Sequence, residues 1–444
     1  MADRGRQAAG RRRPAPAGSE LRHGESVKFR FDGRTHTGIG GDTIASALTA
    51  DDVDVLSRSF KYHRPRAVLC AAGRCPNCLV EVDGEPNVRA CVTPIAPEMT
   101  VRRQNAWPSL RLDLLSLTDR FERFFPIGFY YKTFIRPRRF WPLYEAVLRR
   151  IAGLGRIDIK ARPDLHQRRR DLHATVTVVG GGPAGCLAAL EAAAGGARVV
   201  LADDGTALGG HLRLRTRRVS GDERIDGLSG TEAAARLAKL VAAEPRIEHL
   251  AAATAIGIYD DGLVAIAQGR TFIRVRTDRL VLATGAAERP ALFDANDRPG
   301  IMLASGILRL HHLHGVRVGT RAVVLTDDDH GWRQAAELHA VGIVVSAIVD
   351  SRAAAAQPAE STDLRAAGTE LLSGTTVLGS EGGRRVSGLR VRTADGTERT
   401  LITTLVAMAP RLEPVVTLAS QAGLTLAFEP RLAEWIPVAG AADV

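Results

Sequence analysis

Val176-Thr177-Val178-Val179-Gly180-Gly181-Gly182-Pro183-Ala184-Gly185 sets the architecture of the larger part of this chain. The β-branched run from Thr175 to Val179 predicts a buried strand. An Ala- and Leu-rich helix follows over Pro183–Ala194, then a second strand over Arg198–Ala202, which together make a βαβ unit. A glycine pattern G-x-G-x-x-G alone is weak evidence. Between a strand and a helix each glycine has its own use, with Gly180 making the tight turn, Gly182 allowing close approach of a pyrophosphate and Gly185 permitting helix–strand packing. Pro183 and Ala184 open the helix, whose N-terminus faces the phosphate charge. Asp203, ending the second strand, is the expected partner of a ribose hydroxyl, and Gly209-Gly210 join the candidate cofactor residues. The pattern predicts FAD or NAD here and leaves the choice between them open.

Downstream, Leu280-Val281-Leu282-Ala283-Thr284-Gly285 reads as a strand ending in a small-residue turn, and it adds Thr284 and Gly285 to the candidate site. Such an ending resembles flavoproteins with two dinucleotide domains. In those folds a second glycine turn would follow Ala322-Val323-Val324-Leu325-Thr326, yet the chain reads Asp327-Asp328-Asp329-His330-Gly331. Carboxylates at that place repel a pyrophosphate. The second nucleotide domain, set at about 286–400 within 172–444, is therefore expected to be degenerate, to hold no nucleotide and to draw no electrons from NADPH.

Upstream stand four of the five cysteines, as Cys70-x4-Cys75-x2-Cys78 and then Cys91. This is the plant-type 2Fe-2S spacing, in which one loop supplies three thiolates and a distant cysteine closes the site. Gly73 supplies the backbone bend. Zinc is the competing metal, but zinc ribbons pair two short C-x2-C knuckles and only Cys75 and Cys78 form one. Cys186, inside the Ala-rich helix, reads as a small core residue. Alternating residues around Asp32-Gly33 and Asp83-Gly84 predict two hairpins, and Asp42-Thr43 caps a short helix. Residues 20–105 are thus expected to form a small α+β ferredoxin-like domain of the β-grasp type. The fold class is α/β, with this domain followed by a two-dinucleotide-domain, Rossmann-like flavoprotein fold.

Residues 1–19 are rich in Ala, Gly, Pro and Arg and are expected to be a disordered basic tail. No apolar stretch follows Arg11-Arg12-Arg13 as a secretory signal requires, so a cytoplasmic location is expected. Residues 106–171 form an aromatic and basic helical connector, read either as packing between domains or as a subunit interface. Across 444 residues the net charge is +11 and the pI about 10.0, but the basic residues are spread rather than striped, which argues against nucleic acid. No apolar run reaches the length of a membrane span.

With the cysteine loop and the glycine turn in place, the chain resembles the α subunits of heterotetrameric sarcosine oxidase, opine oxidase, hydrogen cyanide synthase and multimeric amino-acid dehydrogenases. The likeness rests also on Arg58-Ser59-Phe60-Lys61-Tyr62-His63-Arg64-Pro65-Arg66 and on Gly128-Phe129-Tyr130-Tyr131-Lys132-Thr133-Phe134. It implies FAD beside the 2Fe-2S cluster and a flavin-carrying β subunit that oxidises an amine or amino acid. Small γ or δ subunits would complete the assembly. Sarcosine oxidase α chains generally lack the four thiolates, so the resemblance points to the opine oxidase and amino-acid dehydrogenase branch. Such α chains continue into a folate-binding half, which is not expected here beyond Val444. The basic residues around His63 are expected either to steady an anionic cofactor, to dock the partner, or to form a solvated face. A rival reading is a scaffold subunit that holds NAD or FAD without redox chemistry; a third is a self-contained NADPH-dependent reductase.

Overall fold

Alternation of buried and exposed residues along Arg22–Phe31 (β1) and Arg34–Gly40 (β2) puts Val27, Phe29 and Phe31 on one covered face of a hairpin. The protein, a computed structural model, is described over residues 10–60, 62–117, 128, 136–151, 168–353 and 358–438. The helix Ile44–Ala50 (α1) packs on the hairpin and begins with a reciprocal cap between Thr43 and Ser46. Strands Leu79–Val82 (β3), Glu85–Arg89 (β4) and Thr100–Arg102 (β5) complete a sheet of order β2-β1-β5-β3-β4, in which β1 and β5 run parallel at its centre. The cysteine loop leaves this sheet just ahead of β3.

Residues 10–19, expected to be disordered, are instead placed. Arg12 pairs with the fully buried Asp42 at 2.6 Å, Arg11 pairs with Asp54, and the Arg13 N–H donates to the Gly315 carbonyl at 2.8 Å. Those long-range acceptors, invisible in the local composition, order the segment. Within the expected connector, a helix over Trp141–Ile151 is described; all the aromatic residues between 118 and 135 lie outside the described residues.

The second region is built on Arg168–Val179 (β6), Pro183–Ala194 (α2), Val199–Ala202 (β7), Gly230–Ala243 (α3), Ile247–Leu250 (β8), Ala253–Tyr259 (β9), Leu263–Gln268 (β10) and Thr271–Leu282 (β11). Its sheet runs β8-β7-β6-β11-β10-β9, with β8, β7, β6 and β11 parallel. One face buries Cys186, Ala189 and Ala193 of α2 with Ala233 and Leu237 of α3. Alanines and glycine let α2 lie close to the sheet, and Ser229 with Glu232 caps α3.

The third region carries a five-stranded parallel sheet, order Ile301–Leu303 (β12), Val406–Met408 (β16), Arg321–Thr326 (β13), Val344–Asp350 (β14) and Glu370–Leu372 (β15). Helices Ala304–His314 (α4) and Asp329–Ala340 (α5) accompany it. The chain divides into two compact units. The first joins residues 1–159 to 290–411, and the second joins 160–289 to 412–444. The second nucleotide-type region thus interrupts the first along the chain, between residues 289 and 412, and groups with the cysteine domain. Apolar residues decide this: Cys70 and Leu69 share one buried cluster with Leu303, Val323, Leu325 and Met408. Among the described residues no helix is long and apolar enough to cross a membrane.

Candidate functional site

The cysteine loop converges as its spacing predicts. Cys70, Cys78 and Cys91 are buried and Cys75 is partly exposed, all as free thiols. Their sulfurs lie in hydrogen-bonding contact along the series Cys75, Cys70, Cys91, Cys78. Contact with Cys75 and Cys91 pulls the Cys70 thiol down to about 2, and the reciprocal contact, with burial, pushes Cys91 far up. Backbone N–H groups point the same way: Ala72 donates to Cys70 Sγ at 3.5 Å and Gly73 to Cys91 Sγ at 3.3 Å. Gly73 takes φ +69°, where a side chain would be strained and a Cβ would come within 3.1 Å of Val92. Among the described residues no three His, Cys, Asp or Glu side chains gather as ligands of a single ion. The four thiols form one connected series. This donor set, thiols with amides aimed at sulfur, fits a 2Fe-2S cluster.

The glycine turn sits between β6 and α2. Gly180 takes φ +108°, and a Cβ there would collide with the Ala283 carbonyl at the end of β11. A Cβ on Gly185 would collide with the Gly180 carbonyl, whereas one on Gly182 would meet nothing within 4 Å. Gly180 and Gly185 thus serve packing, and Gly182 fronts open space before the first N–H groups of α2, with Pro183 and Ala184 in its first turn. Gly209 and Gly210 close over this turn. The Gly209 N–H donates to the Gly181 carbonyl at 2.7 Å, and a Cβ on Gly210 would lie 2.9 Å from Gly182 Cα. Thr284 Oγ1 donates to the Val415 carbonyl at 2.7 Å, and Gly285 accepts from the Val415 N–H at 3.0 Å. These two residues line a cavity of 410 Å³ with Leu280, Leu282, Ala419 and Pro437. The open side of Gly182, ahead of the first N–H groups of α2, suits a pyrophosphate, so the turn fits FAD.

Asp203 stands just past β7, beside the turn. Its carboxylate accepts the Gly181 N–H and, at 2.8 Å, the Gly205 N–H, so it braces the turn. The following residue, Asp204, is exposed. Cys186 is fully buried and donates to the Gly181 carbonyl at 3.3 Å, and burial pushes its thiol up to about 12.

The basic run before the cysteines also differs from expectation. His63 is buried, its Nδ1 2.7 Å from the Asn105 carbonyl and 3.1 Å from Asp113 Oδ2. Arg58 donates to the carbonyls of His63 (2.8 Å) and Leu110 (2.7 Å), and Arg66 pairs with Asp297 at 2.8 Å. These contacts are internal and both side chains are buried, so His63 and Arg58 form neither a docking surface nor a solvated face; Lys61 lies outside the described residues.

Residues 24–106 match the 2Fe-2S iron-sulfur cluster binding domain, and residues 174–429 match the pyridine nucleotide-disulphide oxidoreductase family. The two matches indicate a 2Fe-2S cluster and FAD. Sarcosine oxidase subunit alpha of Rhizobium meliloti is 38% identical over 89% of this chain and 41% of its own length. The namesake from Corynebacterium sp. (strain P-1) is 30% identical over 96% of the chain and 41% of its own length. The chain thus spans about two fifths of the curated relatives it matches. Among solved structures, L-proline dehydrogenase from P. horikoshii superposes with a TM-score of 0.64 at 20% identity, covering 95% of this chain and 67% of that one, which shows a shared fold. The chain belongs to the pyridine nucleotide-disulphide oxidoreductase family, in a sarcosine oxidase alpha-like branch that carries a 2Fe-2S cluster binding domain ahead of it.

Proposed function

We propose that this chain is the electron-relaying subunit of a multi-subunit oxidoreductase that oxidises the C–N bond of a secondary amine or amino acid at a flavin on a partner subunit. The observation that carries this is the convergence of Cys70, Cys75, Cys78 and Cys91 in a chain that also presents an open glycine turn at Gly182. When bound, FAD supplies two-electron exchange and the cluster one-electron exchange. The residues of this chain hold and orient both groups. Gly180 to Gly185, Asp203, Gly209, Gly210, Thr284 and Gly285 would form the FAD site, and the four cysteines would ligate the irons. The likeness to sarcosine oxidase alpha subunits and the fold of L-proline dehydrogenase support the substrate class.

The acidic second turn weakens a self-contained NADPH reductase. Electron paramagnetic resonance of the anaerobically prepared, reduced chain tests the relay. A 2Fe-2S signal is expected in the unsubstituted chain and its loss, with the FAD absorbance retained, in Cys91→Ser. A silent spectrum from the unsubstituted chain overturns the relay and leaves a non-redox scaffold.

A further inference from the structure

The third region carries the form of a nucleotide domain, but its turn is occupied by its own side chains, and what it holds instead is the cysteine loop. We propose that this region is the seat of the cluster: Gly306, at the start of α4, is a positioning residue for Cys70, and the positive end of α4 raises the cluster's reduction potential. The inference rests on the relay reading above.

The contact is close and made by backbone. The Leu303 N–H, at the cap of α4, donates to the Leu69 carbonyl at 3.0 Å. A Cβ on Gly306 would lie 2.7 Å from the Leu69 carbonyl oxygen and 3.1 Å from both the carbonyl carbon and oxygen of Cys70. Backbone atoms of a ligating loop cannot swing away as a flexible side chain can, so only glycine lets the loop sit this deep. Cys70 is buried in the apolar cluster of β12, β13 and β16, with Ala72 and Cys75 packed against it. Ion pairs flank the joint: Arg66 with Asp297 at 2.8 Å, and Arg385 with Asp54.

The far end of α4 is held by the same N-terminal region. Its last carbonyls, which lack helical donors, accept from Ser19 N–H (His312, 2.9 Å) and Glu20 N–H (Leu313, 2.9 Å). A strap over residues 10–21 thus fixes α4 while its first turn meets the loop. A helix N-terminus carries about half a positive charge. Reduction adds an electron to the cluster, so that end favours the reduced form.

The test uses Gly306→Ala, Leu303→Ala and the control Gly383→Ala, whose added methyl meets nothing within 4 Å. Each full-length chain is titrated potentiometrically under anaerobic conditions with paramagnetic resonance as readout, and then exposed to a chelator. Gly306→Ala is expected to lower the reduced-to-oxidised ratio at a fixed potential by about tenfold, about 59 mV for one electron. Both Gly306→Ala and Leu303→Ala should bleach faster with chelator while FAD content stays unchanged, and Gly383→Ala should match the unsubstituted chain. Should Gly306→Ala not fold, the bleaching rate of Leu303→Ala decides alone. A potential and bleaching rate unchanged in the variants overturns the seat, whereas a silent unsubstituted chain overturns the relay reading instead.

Discussion

The passages Val179–Gly185 and Thr326–Trp332 both run from a buried parallel strand through a sharp turn into a helix, and they finish with opposite chemistry. In the first, a Cβ on Gly182 would meet nothing within 4 Å, so the N–H groups behind it face open space. In the second, Asp328 accepts the His330 N–H at 2.7 Å, Asp327 accepts the Arg411 N–H at 2.9 Å, and Asp329 pairs with Arg352 at 2.9 Å. That helix start is capped from within. One glycine persists in both, because a Cβ on Gly331 would collide with Thr326 Oγ1 just as one on Gly185 would with the Gly180 carbonyl. The packing glycine therefore serves the strand–helix contact whatever is bound, and only the glycine facing outward reports on a ligand.

The largest departure between the two turns is expected from changes at Gly185 and Gly182. Gly185→Val drives a branched side chain into the Gly180 carbonyl, an overpacking of roughly 1–3 kcal/mol read in denaturant unfolding. Gly182→Val, by contrast, fills the open space ahead of α2, and bound FAD, read from the visible spectrum of the purified chain, should fall by about tenfold or more. The second turn should respond in stability alone. Asp350 accepts from Trp332 Nε1 at 2.8 Å and from Arg352 at 2.8 Å, so Asp350→Ala leaves a buried indole N–H unpaired. A loss of about 1–3 kcal/mol in denaturant unfolding is expected, with FAD content unchanged.

A smaller effect is expected at the end of α4, the helix preceding the second turn. Burial, then His312 and Arg13, push His311 down from 6.5 to about 4. The unfolded chain takes up this proton first, so the stability is fully present above about pH 6.5 and declines as pH falls toward 4. His311→Gln should flatten the fall in urea midpoint across that window. The smallest expected effect is none: NADPH added anaerobically should leave the bound flavin oxidised, and rapid bleaching would erase the contrast by showing that the second turn binds after all.

The cysteine loop and the first glycine turn were legible because their chemistry is local. Four thiols within one loop and its neighbouring hairpin, or three glycines between strand and helix, keep their meaning wherever the chain goes. The bracing of the turn by Asp203, through the Gly181 and Gly205 amides, depends on the folded turn and is not written in the local pattern. Arg58 and His63 look like surface charge in the sequence; Asp113 and the Leu110 carbonyl, distant along the chain, make them internal. The grouping of residues 290–411 with the cysteine domain depends on Leu69 and Cys70 completing an apolar cluster, which no periodicity announces.

Arg11, Arg12 and Arg13 would be an inviting cleavage site for trypsin on a loose chain. Here Arg11 is tied to Asp52 and Asp54, Arg12 to Asp42, and the Arg13 backbone to Gly315, so a protease engages the run only once this strap has come away. The triple arginine is thus a built-in gauge of the strap's attachment, and its survival under proteolysis tracks the free energy of that local detachment.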